Sequence, residues 1–230
     1  MEFQDFSRSR ALNNIPDKKL QDQIKLIQQS NDERKNIKLI AVNRYAESNI
    51  PVEYWNLKME KDFFGDPRLL KKYQEYIQDI NNSYLSGSSI CFAGNNGTGK
   101  TMTSCCILKK ACEKGFMCLY STLSDIVNIL TQSSSEQKFI SRRELNMIDF
   151  LVIDEFDPRF MATDNTIDLY ARTLETVFRT RSQNKLPTIM CTNSPNIVEC
   201  FNGQLKISLD SLIKGYLKMF PVFGEDARKR

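Results

Sequence analysis

Eight consecutive residues, Gly94-Asn95-Asn96-Gly97-Thr98-Gly99-Lys100-Thr101, constrain this chain more than any other feature. They fit the pattern G-x-x-x-x-G-K-[ST] in full. Three glycines let the main chain curl so that successive N–H groups point inward, which forms a concave nest for an anion. An apolar run at residues 89–93 (SICFA) leads into the loop, and a helix-forming stretch over residues 100–114 leaves it. A helix that opens on such a loop adds its positive N-terminal end to the same spot. In that setting the residues Gly94, Asn95, Asn96, Gly97, Thr98, Gly99, Lys100, Thr101 and Met102 cradle the phosphates of a nucleotide. Lys100 reaches the β- and γ-phosphates, and the Thr101 hydroxyl ligates magnesium.

The chain around this loop alternates short apolar runs with amphipathic stretches. Strands are expected at residues 89–93, 116–122 (FMCLYST), 149–153 (DFLVI) and 188–192 (TIMCT), and helices at residues 100–114, 123–130 and 163–181. Short apolar runs alternating with amphipathic helices mean a parallel sheet covered on both faces, so the fold class is α/β. Upstream, residues 66–80 read as a helix with Leu69, Leu70, Tyr73, Tyr76 and Ile77 on its apolar face, closed by Asn82 and Gly87. Pro16-Asp17 reads as a helix start, and Leu20, Ile24 and Ile27 follow at helical spacing, extended by Ile37, Ile40 and Tyr45. Asn49-Ile50-Pro51 ends that segment, since a residue before proline is driven out of the helical region. Residues 1–16 look unstructured, and residues 131–137 (TQSSSEQ) read as a loop.

A second chemical element lies at Phe150-Leu151-Val152-Ile153-Asp154-Glu155. An apolar strand brings two carboxylates to its C-terminal edge, where ligands of open α/β sheets bind. Asp154 is placed to hold magnesium through its water shell, and Glu155 to orient or polarise an attacking water. A third element follows at Thr192-Asn193-Ser194. Asn193 can hydrogen-bond the γ-phosphate or that water; its alternative reading is a turn residue before Pro195.

Other chemistries drop out. The 230 residues contain no histidine, which removes Ser-His and Cys-His nucleophile pairs and imidazole zinc sites. The seven cysteines, Cys91, Cys105, Cys106, Cys112, Cys118, Cys191 and Cys200, include no C-x-x-C pair and read as small buried hydrophobes with free thiols. No apolar run approaches the roughly 18 residues of a membrane span. The start, MEFQDFSRSR, has no apolar signal core, so an intracellular, cytoplasmic protein is expected.

The three elements in this order resemble the AAA+ ATPases. FAGNNGTGKT, DFLVIDEFD and LPTIMCTNSP look like the DnaC/IstB-type group of helicase loaders and transposition helper ATPases, as does the lead-in Arg44-Tyr45-Ala46-Glu47-Ser48-Asn49-Ile50-Pro51. The resemblance covers residues 44–195. It implies a P-loop NTPase core with a five-stranded sheet ordered 5-1-4-3-2, a reduced or absent lid, ATP with Mg2+, and self-association that places ATP between subunits. It also implies an ATPase, with Lys100, Glu155 and Asn193 as catalytic residues and Thr101 and Asp154 at the metal. The domains expected are an N-terminal helical partner-binding segment, 1–46, and an AAA+ ATPase domain, 47–230.

The group's late E-R-x-x-D-R pattern is not matched. The comparable stretch, residues 206–212 (KISLDSL), has Asp210 in place but Ile207 and Ser211 where arginines belong. Neither can spread a planar charged fork over phosphate oxygens. Lys206 or Lys214 could supply point charge, or Arg179 or Arg181 could approach from another helix. Slow turnover is therefore expected. For DNA the candidates are Lys138, Arg142 and Arg143, where the group inserts an element facing single-stranded DNA, and the basic end of the chain, ARKR. As a helicase loader the chain would meet a hexameric replicative helicase through residues 17–46. Its small size fits a phage-encoded loader acting in a host cytoplasm. The rival reading is a transposition helper acting on duplex DNA with a transposase, and a third is an ATP-binding switch with little hydrolysis.

Overall fold

A computed structural model describes residues 17–30, 35–132, 134–156, 164–194, 197–199, 203–224 and 226. Helices α1 (Asp17–Gln29) and α2 (Lys35–Glu47) come first, followed by a 3-10 turn at Val52–Tyr54 and the short helices α3 (Met59–Asp62), α4 (Pro67–Gln78) and α5 (Ile80–Ser86). The core then runs β1 (Ser89–Gly94), α6 (Lys100–Glu113), β2 (Cys118–Thr122), α7 (Leu123–Gln132), α8 (Ser135–Met147), β3 (Phe150–Phe156), α9 (Asp164–Gln183), β4 (Thr188–Thr192), α10 (Gly203–Tyr216) and β5 (Leu217–Val222). The strands form one sheet ordered β2-β3-β4-β1-β5, and every pairing is parallel. Read from the other edge, this is the expected order.

Alternation along the strands explains the two apolar layers. Ile90, Phe92, Cys118, Tyr120, Phe150, Val152, Ile189 and Cys191 share one buried cluster with α6, α4 and the end of α2. Their neighbours Cys91, Ala93, Leu119, Leu151, Ile153 and Met190 point the other way, into a cluster with α7, α9 and α10. A strand buried on both faces has no polar face, so it reads as a continuous apolar run. Helix α6 is enclosed along nearly its whole length, with Cys105, Cys106, Ile107, Leu108, Ala111 and Cys112 all buried. Its buried Lys109 donates to the carbonyls of Tyr54, Trp55 and Leu57, which straps the 3-10 segment to the helix.

Several boundaries differ from the sequence reading. The helix expected over 66–80 breaks at Asp79, whose side chain accepts from the Asn82 N–H and caps α5. Gly87 ends α5 in the left-handed region at φ 66°, a conformation that suits glycine. The expected loop at 131–137 is mostly helical, as α7 continues to Gln132 and α8 begins at Ser135. Small polar residues favour caps and turns, but two helix ends meeting there use them equally well. The fifth strand carries Lys218 and Pro221, which mask the apolar signal; both are tolerated because β5 lies at a sheet edge.

The N-terminal stripe is also redistributed. Val42, Tyr45 and Ala46 form the buried face of α2, whereas Ile37 and Ile40 are exposed. The end of α2 is stapled to α6: Arg44 Nη1 donates to Cys112 O at 2.8 Å, and Tyr45 Oη to Glu113 Oε1 at 2.7 Å. Six of the seven cysteines are free and buried as expected, while Cys200 lies outside the described residues. Residues 1–16, Pro195 and the basic stretch 227–230 lie outside them too. Among the described residues no helix is long and apolar enough to cross a membrane.

Candidate nucleotide site

The loop between β1 and α6 has the backbone its glycines permit. Gly97 sits at φ 71° and Gly99 at φ 93°, both left-handed. A Cβ on Gly99 would be strained by that backbone and would also lie 2.4 Å from Cε2 of Phe63, whose ring would have to move. Gly99 is also the N-cap of α6 and offers no capping side chain, which leaves the first helical N–H groups directed at the loop. Thr98 closes the curl by donating from Oγ1 to Asn95 O at 2.9 Å. Lys100 is buried under the loop, with Nζ 2.7 Å from Gly94 O and 2.6 Å from Asn95 O. A phosphate oxygen would compete with these carbonyls for the same ammonium.

Strand β3 brings the carboxylates to this loop. Asp154 is almost fully buried, while Glu155 is exposed. The difference arises in the backbone, because Glu155 adopts φ 56° and the β3–β4 register shifts between Ile153 and Phe156. A bulge of this kind re-aims a side chain at a strand end. Both Asp154 oxygens are engaged: Oδ1 accepts from the Glu155 N–H at 2.8 Å, and Oδ2 from the hydroxyl of Tyr120 at 2.8 Å. Partial burial pushes the Glu155 carboxyl above its ordinary range, and Asp154 and Asp125 add to the effect. Asn193 follows β4, and its N–H reaches Phe156 O at 3.4 Å, just beyond the bulge.

A pocket of about 370 Å³ gathers these groups, lined by Asn96, Gly97, Thr98, Gly99, Lys100, Thr101, Met102, Asp154, Glu155 and Asn193. Gly94 and Asn95 lie just behind it, bonded to Lys100. The residues selected from sequence are thus brought together from β1, α6, β3 and β4. Tyr54, Asp62, Phe63, Phe64 and Gly65 close the other wall. Sequence reasoning missed them, since an irregular segment before the first strand has no periodicity; the Phe63-Phe64-Gly65 cluster was the available signal. Asp226 was missed as well. Its Oδ1 would lie 1.7 Å from a Cβ on Gly97, which places a carboxylate directly against the loop.

The donor set fits a hard cation. Thr101 and Asp154 offer a hydroxyl and a carboxylate at the pocket. Magnesium accepts that arrangement, because it keeps waters and takes its remaining oxygens from substrate phosphates.

The arginine candidates separate clearly. Arg181 is fully buried and gives every donor to its own subunit, so it cannot reach a neighbour's nucleotide. Arg179 is exposed and pairs with Glu175 at 2.7 Å. Lys214 pairs with Asp210 at 2.6 Å one helical turn away, and Ile207 is exposed. Arg142 and Arg143 are exposed on α8, which also carries Lys138.

Comparison with known proteins agrees with this geometry. The chain aligns at 26% identity over 157 residues with the replicative helicase loader DnaC of Escherichia coli K12, covering 66% of this chain and 58% of that protein. The match therefore spans well under two thirds of the curated relative. Among solved structures, the DnaC helicase loader superposes with a TM-score of 0.56 at 19% identity, over 75% of this chain and 99% of that one. The replication initiator DnaA bound to AMPPCP and single-stranded DNA gives 0.58 at 17% identity, over 76% and 51%. These two likenesses establish the AAA+ type of fold. The family model described as IstB-like ATP binding protein matches residues 66–183, which run from the cap of α4 through the phosphate loop, the two carboxylates and α9. With just over half of its length matched, the chain belongs to the IstB-like ATP-binding family.

Proposed function

We propose that this protein is an ATP-dependent loader of a replicative helicase, which binds ATP with magnesium, turns it over slowly and helps place the helicase on single-stranded DNA. The observation that carries the reading is the convergence of Lys100, Thr101, Asp154, Glu155 and Asn193 on one pocket, in a chain similar to DnaC. The loop amides and the Lys100 ammonium bind the phosphates and offset their charge. Thr101 and Asp154 would hold magnesium, which withdraws charge from the β- and γ-phosphates. Glu155, aimed into the pocket by the bulge, takes the proton of the attacking water, and Asn193 orients that water or the γ-phosphate.

Residues 1–46 form the partner-binding segment of this reading, and residues 47–230 the ATPase domain. Apolar Leu26, Ile37 and Ile40 are exposed on α1 and α2, which suits a helix surface awaiting another protein. Lys138, Arg142 and Arg143 of α8 are the proposed contacts to single-stranded DNA. Self-association through the ATP interface and a cytoplasmic location, that of a host if the gene is a phage's, complete the proposal. Burial of Arg181 supports the slow turnover, because one candidate for a stimulating arginine is consumed internally.

A second reading, a transposition helper ATPase on duplex DNA, is favoured by the IstB-like family model. Pull-down of the full chain with a hexameric replicative helicase and with a transposase separates the two. Retention of the helicase, lost on deleting residues 1–46 with nucleotide binding intact, supports the loader; retention of the transposase alone overturns it. Turnover indistinguishable from that of Lys100→Ala removes hydrolysis from the reading and leaves an ATP-binding switch.

A further inference from the structure

The carboxylate Asp154 has a partner from a different strand that no motif contains. Strands β2 and β3 pair in parallel with Tyr120 opposite Val152 and Thr122 opposite Asp154. Because side chains alternate, Tyr120 and Asp154 rise on the same face, two residues out of step, and a long side chain spans that diagonal. The Tyr120 ring lies in the buried cluster beneath α6, and its hydroxyl ends 2.8 Å from Asp154 Oδ2. In this bond the phenol O–H donates and the carboxylate oxygen accepts.

We propose that Tyr120 is a positioning residue for the metal-binding carboxylate: its hydroxyl fixes the torsion of Asp154 and hence the affinity of the site for magnesium. The inference rests on the reading of Asp154 as a magnesium residue and extends it. A buried aspartate held only by the neighbouring main-chain N–H on Oδ1 could still rotate about its Cα–Cβ bond. A second donor on Oδ2, anchored in a different strand, removes that freedom and leaves the outward lone pairs for the cation. Partners outside the metal's own ligands commonly change metal affinity about 10- to 100-fold when removed.

The tyrosine is itself held in place. Its N–H donates to Ser48 O at 2.8 Å, and its carbonyl accepts from Asn49 Nδ2 at 3.1 Å. Residues 48 and 49 directly follow α2, so the segment that joins the N-terminal helices to the core sets the position of the strand bearing the hydroxyl.

The test is equilibrium binding of a fluorescent ATP analogue to the full chain, titrated with Mg2+, for wild type, Tyr120→Phe and Asp154→Asn. Phenylalanine keeps the ring and its burial and removes only the hydroxyl. The expected result for Tyr120→Phe is metal-free affinity within about twofold of wild type, with the Mg2+ midpoint raised about tenfold. A midpoint equal to wild type overturns the proposal, as does a loss of metal-free affinity with no change in midpoint, since that is a packing effect. Asp154→Asn separates the two claims. If it shifts the midpoint and Tyr120→Phe does not, only the positioning role fails; if neither shifts it, the reading of Asp154 fails and this inference with it.

Discussion

Arg181 offers a quantitative test, because its surroundings allow the cost of losing it to be worked out. Nε donates to Thr188 Oγ1 at 2.8 Å. Nη1 donates to Leu145 O and Ile148 O at 2.7 and 2.9 Å, and Nη2 to Asp149 O and Pro187 O at 3.2 and 2.7 Å. All the donors of a guanidinium are thereby used, none on a carboxylate. The group ties the end of α8 and the start of β3 to the start of β4. Arg181→Met keeps much of the volume but strips this donor from the carbonyls of Leu145, Ile148 and Asp149, while Pro187 O keeps the Leu151 N–H and Thr188 Oγ1 keeps the Tyr216 hydroxyl. Each unsatisfied buried group costs about 1–3 kcal/mol. Relief of the charge-burial penalty and entry of water offset part of that sum, leaving about 3–5 kcal/mol, the range for breaking a buried charged network. At about 2–4 °C per kcal/mol for a chain of this size, Tm should fall by roughly 10 °C. Arg181→Lys, with fewer donors in a different geometry, should fall in between, and Arg179→Ala on the exposed face should change little. Thermal unfolding followed by circular dichroism reads all three. An unchanged Tm for Arg181→Met, together with lost stimulation of turnover in the oligomer, would show that the side chain leaves its buried site to act as a finger, and would refute the account.

Glu155→Gln should retain nucleotide binding and lose about 10²- to 10⁴-fold in turnover, measured by phosphate release; full activity would remove Glu155 as the base. Since burial and neighbouring acids raise the Glu155 carboxyl, wild-type turnover should decline on acidification from a pH above the ordinary carboxylate range, where protonation removes the base. Asp226→Asn should tighten ATP binding by about two- to fivefold in calorimetry, because it removes a like charge from beside Gly97; unchanged or weaker binding contradicts that. Gly99→Ala, strained at φ 93° and crowded by Phe63, should abolish nucleotide binding, and binding within a factor of two of wild type would show that the loop tolerates a Cβ. Asp66 is lowered from 3.8 to about 2, first by its hydrogen bonds from Arg68 and then by the Phe223 N–H, so the stability it contributes is present above pH ~4 and fades as pH falls toward 2. Asp66→Asn should therefore flatten the acid limb of a Tm–pH curve over that window, and an identical curve would sink the claim.

What could be read without coordinates was chemistry carried by contiguous residues. The phosphate loop, the paired carboxylates and Asn193 each lie at the end of an apolar run, and a parallel sheet sends all such ends to the same edge. Sequence therefore located the pocket without locating any long-range contact. It failed where a role depends on a partner far along the chain. Arg181 looks like any arginine near the end of an amphipathic helix; only the approach of residues 145–149 and 187–188 converts it from candidate finger to buried brace. Strand β5 fails the apolar-run test through Lys218 and Pro221, yet it pairs with all of β1 and brings Val222 beside Gly94.

The same reasoning bears on how a partner could influence the nucleotide. Helix α2 packs on α6, and its junction with the core does not float free. Arg44 and Tyr45 grip the end of α6, the helix whose other end carries Lys100 and Thr101. Four residues later, Ser48 and Asn49 grip the backbone of Tyr120, whose hydroxyl holds Asp154. A pull on α2 is thus applied at two places, each one rigid element away from a group proposed to bind metal. Packed helices and paired strands transmit displacement because their interiors have little free volume to absorb it. Asn49→Ala, which cuts the side-chain link but leaves Tyr120 and Asp154 intact, should raise the Mg2+ midpoint less than Tyr120→Phe does; a midpoint equal to wild type would show that the junction and the metal site are mechanically independent.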